Sequence, residues 1–357
     1  MNDVTVAEFT IQFRRFLNDD STLNQPLPDF FTPSILTELY RLMSLTRAID
    51  NKAINLQRTG KMSTYPSSKG QEAIAVAVGH AMSEQDVFCP YYRDQGTLIQ
   101  RGTSISQLYQ YWGGDERGSL TNTHSQDFPI CIPIATQYLH ATGVAFAFKH
   151  RKQARAVVAT GGEGSTSKGD FYEAINLAGA WQLPVVFVIN NNQWAISVPR
   201  KAQTHCQTIA QKAIAAGIPS LQVDGNDVVA VRQSVAEALE KARSGGGPTL
   251  IEGICYRLCD HTTADDASRY RTEQEVETAW QQEPIARLAH YMEKAGFWSK
   301  QHEADLAATI QSTLDEAVDE YLSRTPQTTG DLIEHTFCSL PNALVDQKDE
   351  LGEAPCP

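Results

Sequence analysis

Two short segments carry residue types that could hold a phosphate and a cation. The first is Gly161-Gly162-Glu163-Gly164-Ser165-Thr166-Ser167-Lys168-Gly169-Asp170. Glycines let a backbone approach a phosphate closely, and a helix starting just beyond presents free N–H groups to an anion. A carboxylate between glycines suits a hard cation such as Mg²⁺, which bridges protein carboxylates to phosphates. Alone, the segment is a weak signal and reads first as a strand-to-helix turn with a solvated Glu163. The second segment is Asn190-Asn191-Asn192-Gln193-Trp194-Ala195-Ile196-Ser197, with Asn192 29 residues beyond Glu163. An asparagine cluster alone marks a turn. The spacing fits one βαβ crossover, so the two loops are expected side by side at the ends of adjacent parallel strands. The Glu163 carboxylate, the Asn192 side-chain oxygen and a backbone carbonyl near Trp194 would then offer three oxygens to one octahedral ion, with diphosphate and water completing it.

The elements that must position these loops are legible in the hydrophobic pattern. Ala156-Val157-Val158-Ala159 reads as a short buried strand, and a helix follows near 168–182. Strands are expected at 184–189, 221–223 and 249–252, with a helix at 227–243 stopped by Gly245-Gly246-Gly247-Pro248. Such alternation predicts an α/β fold with a central parallel sheet flanked by helices, whose ligands lie beyond the carboxyl ends of the strands. Upstream, Pro33 opens a helix over 34–59, with Gly60 where a helix-ending residue belongs. Helices at 71–81 and 136–149 are rich in Ala and Gly and apolar nearly all round, which marks burial either in this chain's core or against another subunit. The sequence divides into an N-terminal arm (1–30), a main domain (31–325) and a C-terminal tail (326–357). The main domain ends in a charged helical stretch over 283–325. The tail is expected to be irregular, with one candidate strand near Leu332-Ile333.

Composition narrows the class. A chain of 357 residues with a formal charge of −12 has no basic stripe to attract nucleic acid or an anionic membrane, and no apolar run of roughly 20 residues. The N-terminus lacks signal- or transit-peptide layout. Seven cysteines occur singly, without a CxxC pair, so Cys255 and Cys259 read as structural thiols and the compartment as reducing, the cytoplasm.

The motif Gly162-Glu163-Gly164, followed after a crossover by Asn191-Asn192, resembles the thiamine diphosphate motif. So do the flanking segments Gly169-Asp170-Phe171-Tyr172-Glu173-Ala174-Ile175-Asn176, Gln193-Trp194-Ala195-Ile196-Ser197, Gln222-Val223-Asp224-Gly225 and Gly247-Pro248-Thr249-Leu250-Ile251-Glu252. Over about 30–325 the chain resembles α subunits of the thiamine-diphosphate-dependent 2-oxo acid dehydrogenases. The bacterial pyruvate-specific group is closest and the branched-chain group next. The resemblance implies a thiamine diphosphate-binding fold, thiamine diphosphate and Mg²⁺ as cofactors, and oxidative decarboxylation of a small 2-oxo acid with reductive acylation of lipoyl groups. It implies metal ligation by Glu163, Asn192 and the Trp194 carbonyl. Tyr92 and Arg93 match residues that contact the diphosphate, for which an arginine fork is apt. Gly162, Gly164 and Ser165 match backbone positions at the phosphates, and Ile132 and Ile134 match those holding the aminopyrimidine. His261, in Arg257–Arg271, falls on the family's active-site histidine. With a pKa near neutrality it could donate a proton during acyl transfer. Tyr270 and Arg271 match residues that order this loop.

The implied partners are a β subunit, in an α2β2 heterotetramer, and lipoyl domains of a dihydrolipoyl acyltransferase core. The glutamate that faces the aminopyrimidine lies on β in this family, and no candidate for it occurs here, so the chain alone is expected to be an incomplete enzyme. Four departures stand out. Glu163 replaces the commoner Asp, and Trp194 stands where Tyr or Phe is frequent. Asp115-Glu116-Arg117-Gly118 lacks a histidine found in some relatives. Thr262 occupies the place of a regulatory phosphoserine in mitochondrial relatives, from which no kinase control is inferred. Pyruvate is the first reading of the substrate, branched-chain 2-oxo acids the second and acetoin the third; the alternative from another class is a non-catalytic assembly subunit, against which Glu163, Asn192 and His261 speak.

Overall fold

Alternation along neighbouring strands sets the layers of this fold. The computed structural model describes residues 3–119 and 126–352. The first elements are β1 (Gln12–Arg14), α1 (Pro33–Arg58), α2 (Glu72–Ala81), β2 (Val87–Cys89), α3 (Gln95–Gln100) and α4 (Ile105–Trp112). Then come α5 (Thr136–His150), β3 (Val157–Gly162), α6 (Gly169–Ala180), β4 (Val185–Asn191), a two-strand ribbon of β5 (Trp194–Ala195) and β6 (Val198–Pro199), and α7 (Arg200–Gln203). The rest is β7 (Ser220–Asp224), α8 (Val228–Arg243), β8 (Thr249–Ile254), α9 (Glu273–Trp280), α10 (Pro284–Lys294), α11 (Lys300–Leu322), α12 (Asp331–Glu334) and α13 (Val345–Leu351).

Six strands form one sheet in the order β1-β7-β8-β4-β3-β2, parallel throughout. Val157, Ala159, Val185, Phe187 and Ile189 pack into the core beneath α5 and α6. Their neighbours Val158, Val186 and Val188 face the opposite core, with α1, α2 and α8. A strand buried on both faces needs apolar residues at every position, hence the continuous Val/Ile runs. The expected strands and helices between 156 and 254 are present. β1 and β2 were not anticipated, because three residues are too few to display a period. β1 lies within the expected N-terminal arm and adds the outermost strand beside β7.

Local chemistry fixes the helix ends. Thr32 caps α1 by accepting from Ile35 N, Pro33 supplies the first-turn φ, and Gly60 follows at φ +72°. Asp227 caps α8 through Val229 N and Ala230 N, and its other oxygen accepts from Phe16 N and Leu17 N, which ties the arm to the sheet end. Two expectations need correction. Leu332 and Ile333 lie in α12, a helical turn rather than a strand, and the tail adds a second short helix, α13. Helix α2 is buried over Glu72–Gly79 within this chain, but α5 is not buried all round: Gly143 and Phe146 lie on an exposed face. Among the described residues, no helix is long and apolar enough to cross a membrane.

Candidate active site

The β3–β4 register brings the chemistry-bearing loops together. Gly162 pairs with Asn190, so the turns leaving both strands start at the same sheet edge. Asn192 N donates to Glu163 Oε2 at 3.2 Å, directly across the 29-residue crossover. Asn192 Oδ1 accepts from Trp194 N at 3.2 Å, and its amide nitrogen donates to Gln71 Oε1 at 3.2 Å. The Trp194 carbonyl accepts from Arg257 at 3.2 Å. All three expected ligand groups are therefore neighbours, and each oxygen keeps lone-pair capacity.

These loops open into a cavity of about 390 Å³. Tyr92, Arg93, Ile132, Ile134, Gly162, Glu163, Gly164, Ser165, Asn192, Trp194 and His261 all line it, together with Trp112, Ala195 and Ile196. A wider groove of about 1190 Å³ lies beyond Trp194 and Tyr270, but it contains none of the Gly162–Ser165 loop.

Two glycines of the loop have a steric reason to be glycine. A Cβ on Gly161 would fall 2.0 Å from the Tyr138 hydroxyl, and one on Gly164 would fall 2.6 Å from Ala195 Cβ. A Cβ on Gly162 would meet nothing within 4 Å, because that position faces the open cavity. Ser165 Oγ is held by Tyr138 at 2.7 Å and by the Gly162 carbonyl at 2.6 Å, which leaves its backbone to meet a ligand. Ala135, Gln193 and Ile196 have positive φ, unusual outside glycine and strained for a β-branched residue. Arg257 secures the last of these by donating to the Ile196 carbonyl at 2.9 Å.

The electrostatics are those of a site built for opposite charges. The Glu163 carboxylate is 1% exposed, and burial pushes its pKa up. It accepts from Asn192 N and Gln203, Arg257 pulls on it more weakly, and it has no salt-bridge partner among the described residues. A buried carboxylate in this position gains strongly from a cation. Opposite it, Arg93 and Arg257 converge on His261, with guanidinium nitrogens 3.2 and 3.5 Å from Nδ1. Nδ1 therefore carries the lone pair and Nε2 the proton. Burial, then Arg93 and Arg257, against the opposing pull of Asp265, bring the His261 pKa down to about 3. In the chain alone the pKa thus lies below the expected near-neutral value, since a loop sequence reveals neither burial nor two nearby cations. Arg93 lines the cavity and suits an anion there, whereas Arg257 is fully buried and donates to the carbonyls of Trp194 and Ile196. Arg93 is 2% exposed and meanwhile donates to the carbonyls of Ser67 at 2.6 Å and His261 at 2.9 Å. Buried Asp94 braces the Tyr91–Arg93 turn by accepting from Tyr91 N and Thr160, and burial raises its pKa to about 8.

The 258–271 loop is folded over the cavity. Thr263 exchanges bonds with Tyr65, and His261 N donates to Asp265 at 2.8 Å. The Tyr270 hydroxyl joins Asp265 to Arg257, and Arg271 donates to the carbonyls of Arg257 and Cys259. Cys255 and Cys259 are free thiols whose pKa values burial raises. Sequence reasoning gave no role to Gln71, Gln203 or Arg257, because their contacts join segments far apart in the chain.

Comparison with known proteins agrees with this architecture. The family model described as "Dehydrogenase E1 component" matches residues 40–329. The pyruvate dehydrogenase E1 component subunit alpha of Mycoplasma genitalium is 37% identical over 317 residues, covering 89% of this chain and 88% of the relative. The protein of the same name from Acholeplasma laidlawii is 38% identical over 92% of this chain and 96% of its own. The 3-methyl-2-oxobutanoate dehydrogenase subunit alpha of Mycobacterium tuberculosis is also 38% identical, over 88% and 85%. With matches this long on a parallel sheet whose strand ends carry the motif, the chain belongs to the dehydrogenase E1 component family.

Proposed function

We propose that this chain is the α subunit of a pyruvate dehydrogenase, acting with a β subunit to decarboxylate pyruvate oxidatively and acetylate lipoyl groups of an acyltransferase core. One observation carries the reading: a buried carboxylate with no salt-bridge partner among the described residues and the Arg93 guanidinium face one cavity at the ends of adjacent parallel strands. Thiamine diphosphate, when bound, supplies the electron sink for loss of CO₂ from a 2-oxo acid. The chain's residues hold and shield it. Glu163, Asn192 and the Trp194 carbonyl offer oxygens to Mg²⁺. Arg93, with backbone groups at Gly164 and Ser165, takes the diphosphate, and Tyr92 packs beside His261 with ring centroids 6.1 Å apart. The backbone at Ile132 and Ile134 faces the ring system, at a mouth where both side chains remain 48% and 43% exposed. That exposure supports completion of the site by a second subunit, in an α2β2 assembly. A diphosphate beside Arg93 would offset the field of that guanidinium and raise the His261 pKa, which favours a proton on the imidazole when the site is loaded.

Pyruvate is favoured by the names of the relatives from Mycoplasma and Acholeplasma. The branched-chain reading stands second on the mycobacterial relative. The test is steady-state assay of the co-expressed αβ complex with pyruvate and with 3-methyl-2-oxobutanoate. A higher kcat/KM for pyruvate is expected, and the reverse order would transfer the assignment to the branched-chain group. The purified α chain should turn over neither. Substantial decarboxylation without β would overturn the shared-site reading.

A further inference from the structure

Glu163 differs from the aspartate common in this motif by one methylene, hence by one more rotatable bond. A longer carboxylate reaches a cation only if something holds its extra torsion, and ordering a free side chain costs entropy. The structure contains such a restraint. Gln203, at the end of α7, donates from Nε2 to Glu163 Oε1 at 3.1 Å and to the Val198 carbonyl at 3.1 Å. Both neighbours are acceptors, so the amide nitrogen must lie on that side. The Gln203 oxygen is then forced the other way, where it is buried and meets no donor. It lies beside the cofactor loop, 3.7 Å from where a Cβ on Gly164 would sit. An acceptor left unpaired next to a buried carboxylate matches the surroundings of a hydrated divalent cation, whose waters are donors.

We propose that Gln203 is a positioning residue for the cation: its amide fixes the Glu163 carboxylate, and its free oxygen accepts from a cation-bound water. This rests on the cation reading proposed above and extends it to a residue on the β5–β6 ribbon side of the site. The contact also links α7 to the loop after β3, so loading the site would hold the 194–203 segment in place.

The test uses the αβ complex with thiamine diphosphate, comparing wild type with Gln203→Ala and Gln203→Met. Methionine keeps the bulk and removes both the donor and the acceptor. Mn²⁺ binding is followed by electron paramagnetic resonance, and Mg²⁺ half-saturation by steady-state rate. Partners in the shell around metal ligands shift metal affinity about 10–100-fold. Both variants should therefore weaken Mn²⁺ binding about tenfold or more and raise Mg²⁺ half-saturation in parallel. The kcat at saturating Mg²⁺ and the KM for the 2-oxo acid should stay within about twofold of wild type. Mn²⁺ affinity unchanged in both variants would overturn the proposal. So would a fall in kcat that excess Mg²⁺ fails to restore, or failure of both variants to assemble with β, each of which makes Gln203 a structural residue. A wild-type complex that binds no Mn²⁺ in the presence of thiamine diphosphate would remove the cation reading itself, which separates the two failures.

Discussion

Gly161→Ala probes the cofactor cradle most sharply, because a single atom pair decides its outcome. The added Cβ would lie 2.0 Å from the Tyr138 hydroxyl oxygen, 2.9 Å from Cζ and 3.0 Å from Ser165 Oγ. Tyr138 is fully buried, and its ring packs on Phe171 and Phe187, so the hydroxyl cannot retreat without moving the ring. Overpacking of this kind costs about 1–3 kcal/mol. Breaking the 2.7 Å Tyr138–Ser165 bond adds about 1 kcal/mol. The single variant should thus lose about 2–4 kcal/mol. Tyr138→Phe alone should lose only about 0.5–1.5 kcal/mol, since Ser165 keeps its bond to the Gly162 carbonyl. The double variant removes the atom at 2.0 Å and leaves Cζ as the nearest obstacle. It should be less destabilised than the sum of the singles by about 1 kcal/mol or more, the range expected for residues in contact. Urea unfolding of the four proteins measures this. Thiamine diphosphate half-saturation should rise in Gly161→Ala and recover in part in the double variant. Additivity within about 0.5 kcal/mol would refute the packing of β3 against α5 on which the cradle depends.

Other consequences are as direct. His261→Ala in the αβ complex should impair transfer to a free lipoyl domain more than decarboxylation read with an artificial electron acceptor; equal losses would leave His261 a positioning residue. The folded loop favours neutral His261, whose pKa lies far below the free value, so protonation stabilises the open form as pH falls from about 6.5 toward 3. Cleavage by trypsin after exposed Arg269 should accordingly speed up between pH 7 and pH 5 in the cofactor-free complex, and His261→Gln should flatten that dependence. Gly70→Ala should cost at least about 3 kcal/mol, because φ is +88° and the Cβ would meet the Tyr256 carbonyl at 2.0 Å. Gly60→Ala, at φ +72° with nothing within 4 Å, should cost only about 1 kcal/mol; equal melting temperatures for the two would contradict the contact of Gly70 with the β8 exit.

Much of the site was legible because short-range rules wrote it. A glycine-flanked acid at a strand exit, a crossover and an asparagine turn have fixed spacings, and parallel pairing turns that spacing into contact between Glu163 and Asn192. The Tyr92-Arg93, Ile132/Ile134 and His261 positions came from resemblance to a family rather than from periodicity. Their meeting on one cavity could not be inferred from their separations along the chain. The candidate strand at 332–333 failed because two apolar residues carry no period, and the local chain closes instead into a turn of helix, with Thr328 accepting from and donating to Asp331.

The amino-acid sequence by itself determined the α/β class, the strand–helix rhythm from 156 to 254, the helix caps and the glycine-flanked acid at the β3 exit, because each depends on neighbours within a few residues. Only the tertiary structure decided the charge state and support of the site. Arg93 and Arg257 stand 164 residues apart in sequence, yet both reach the same imidazole and add to the burial that lowers its pKa, which no local pattern records. Gln203 and Glu163 are separated by a helix, a strand and a ribbon before one amide closes on one carboxylate. Long-range electrostatics and side-chain hydrogen bonds act through space, so they became definite only once the sheet had set the distances.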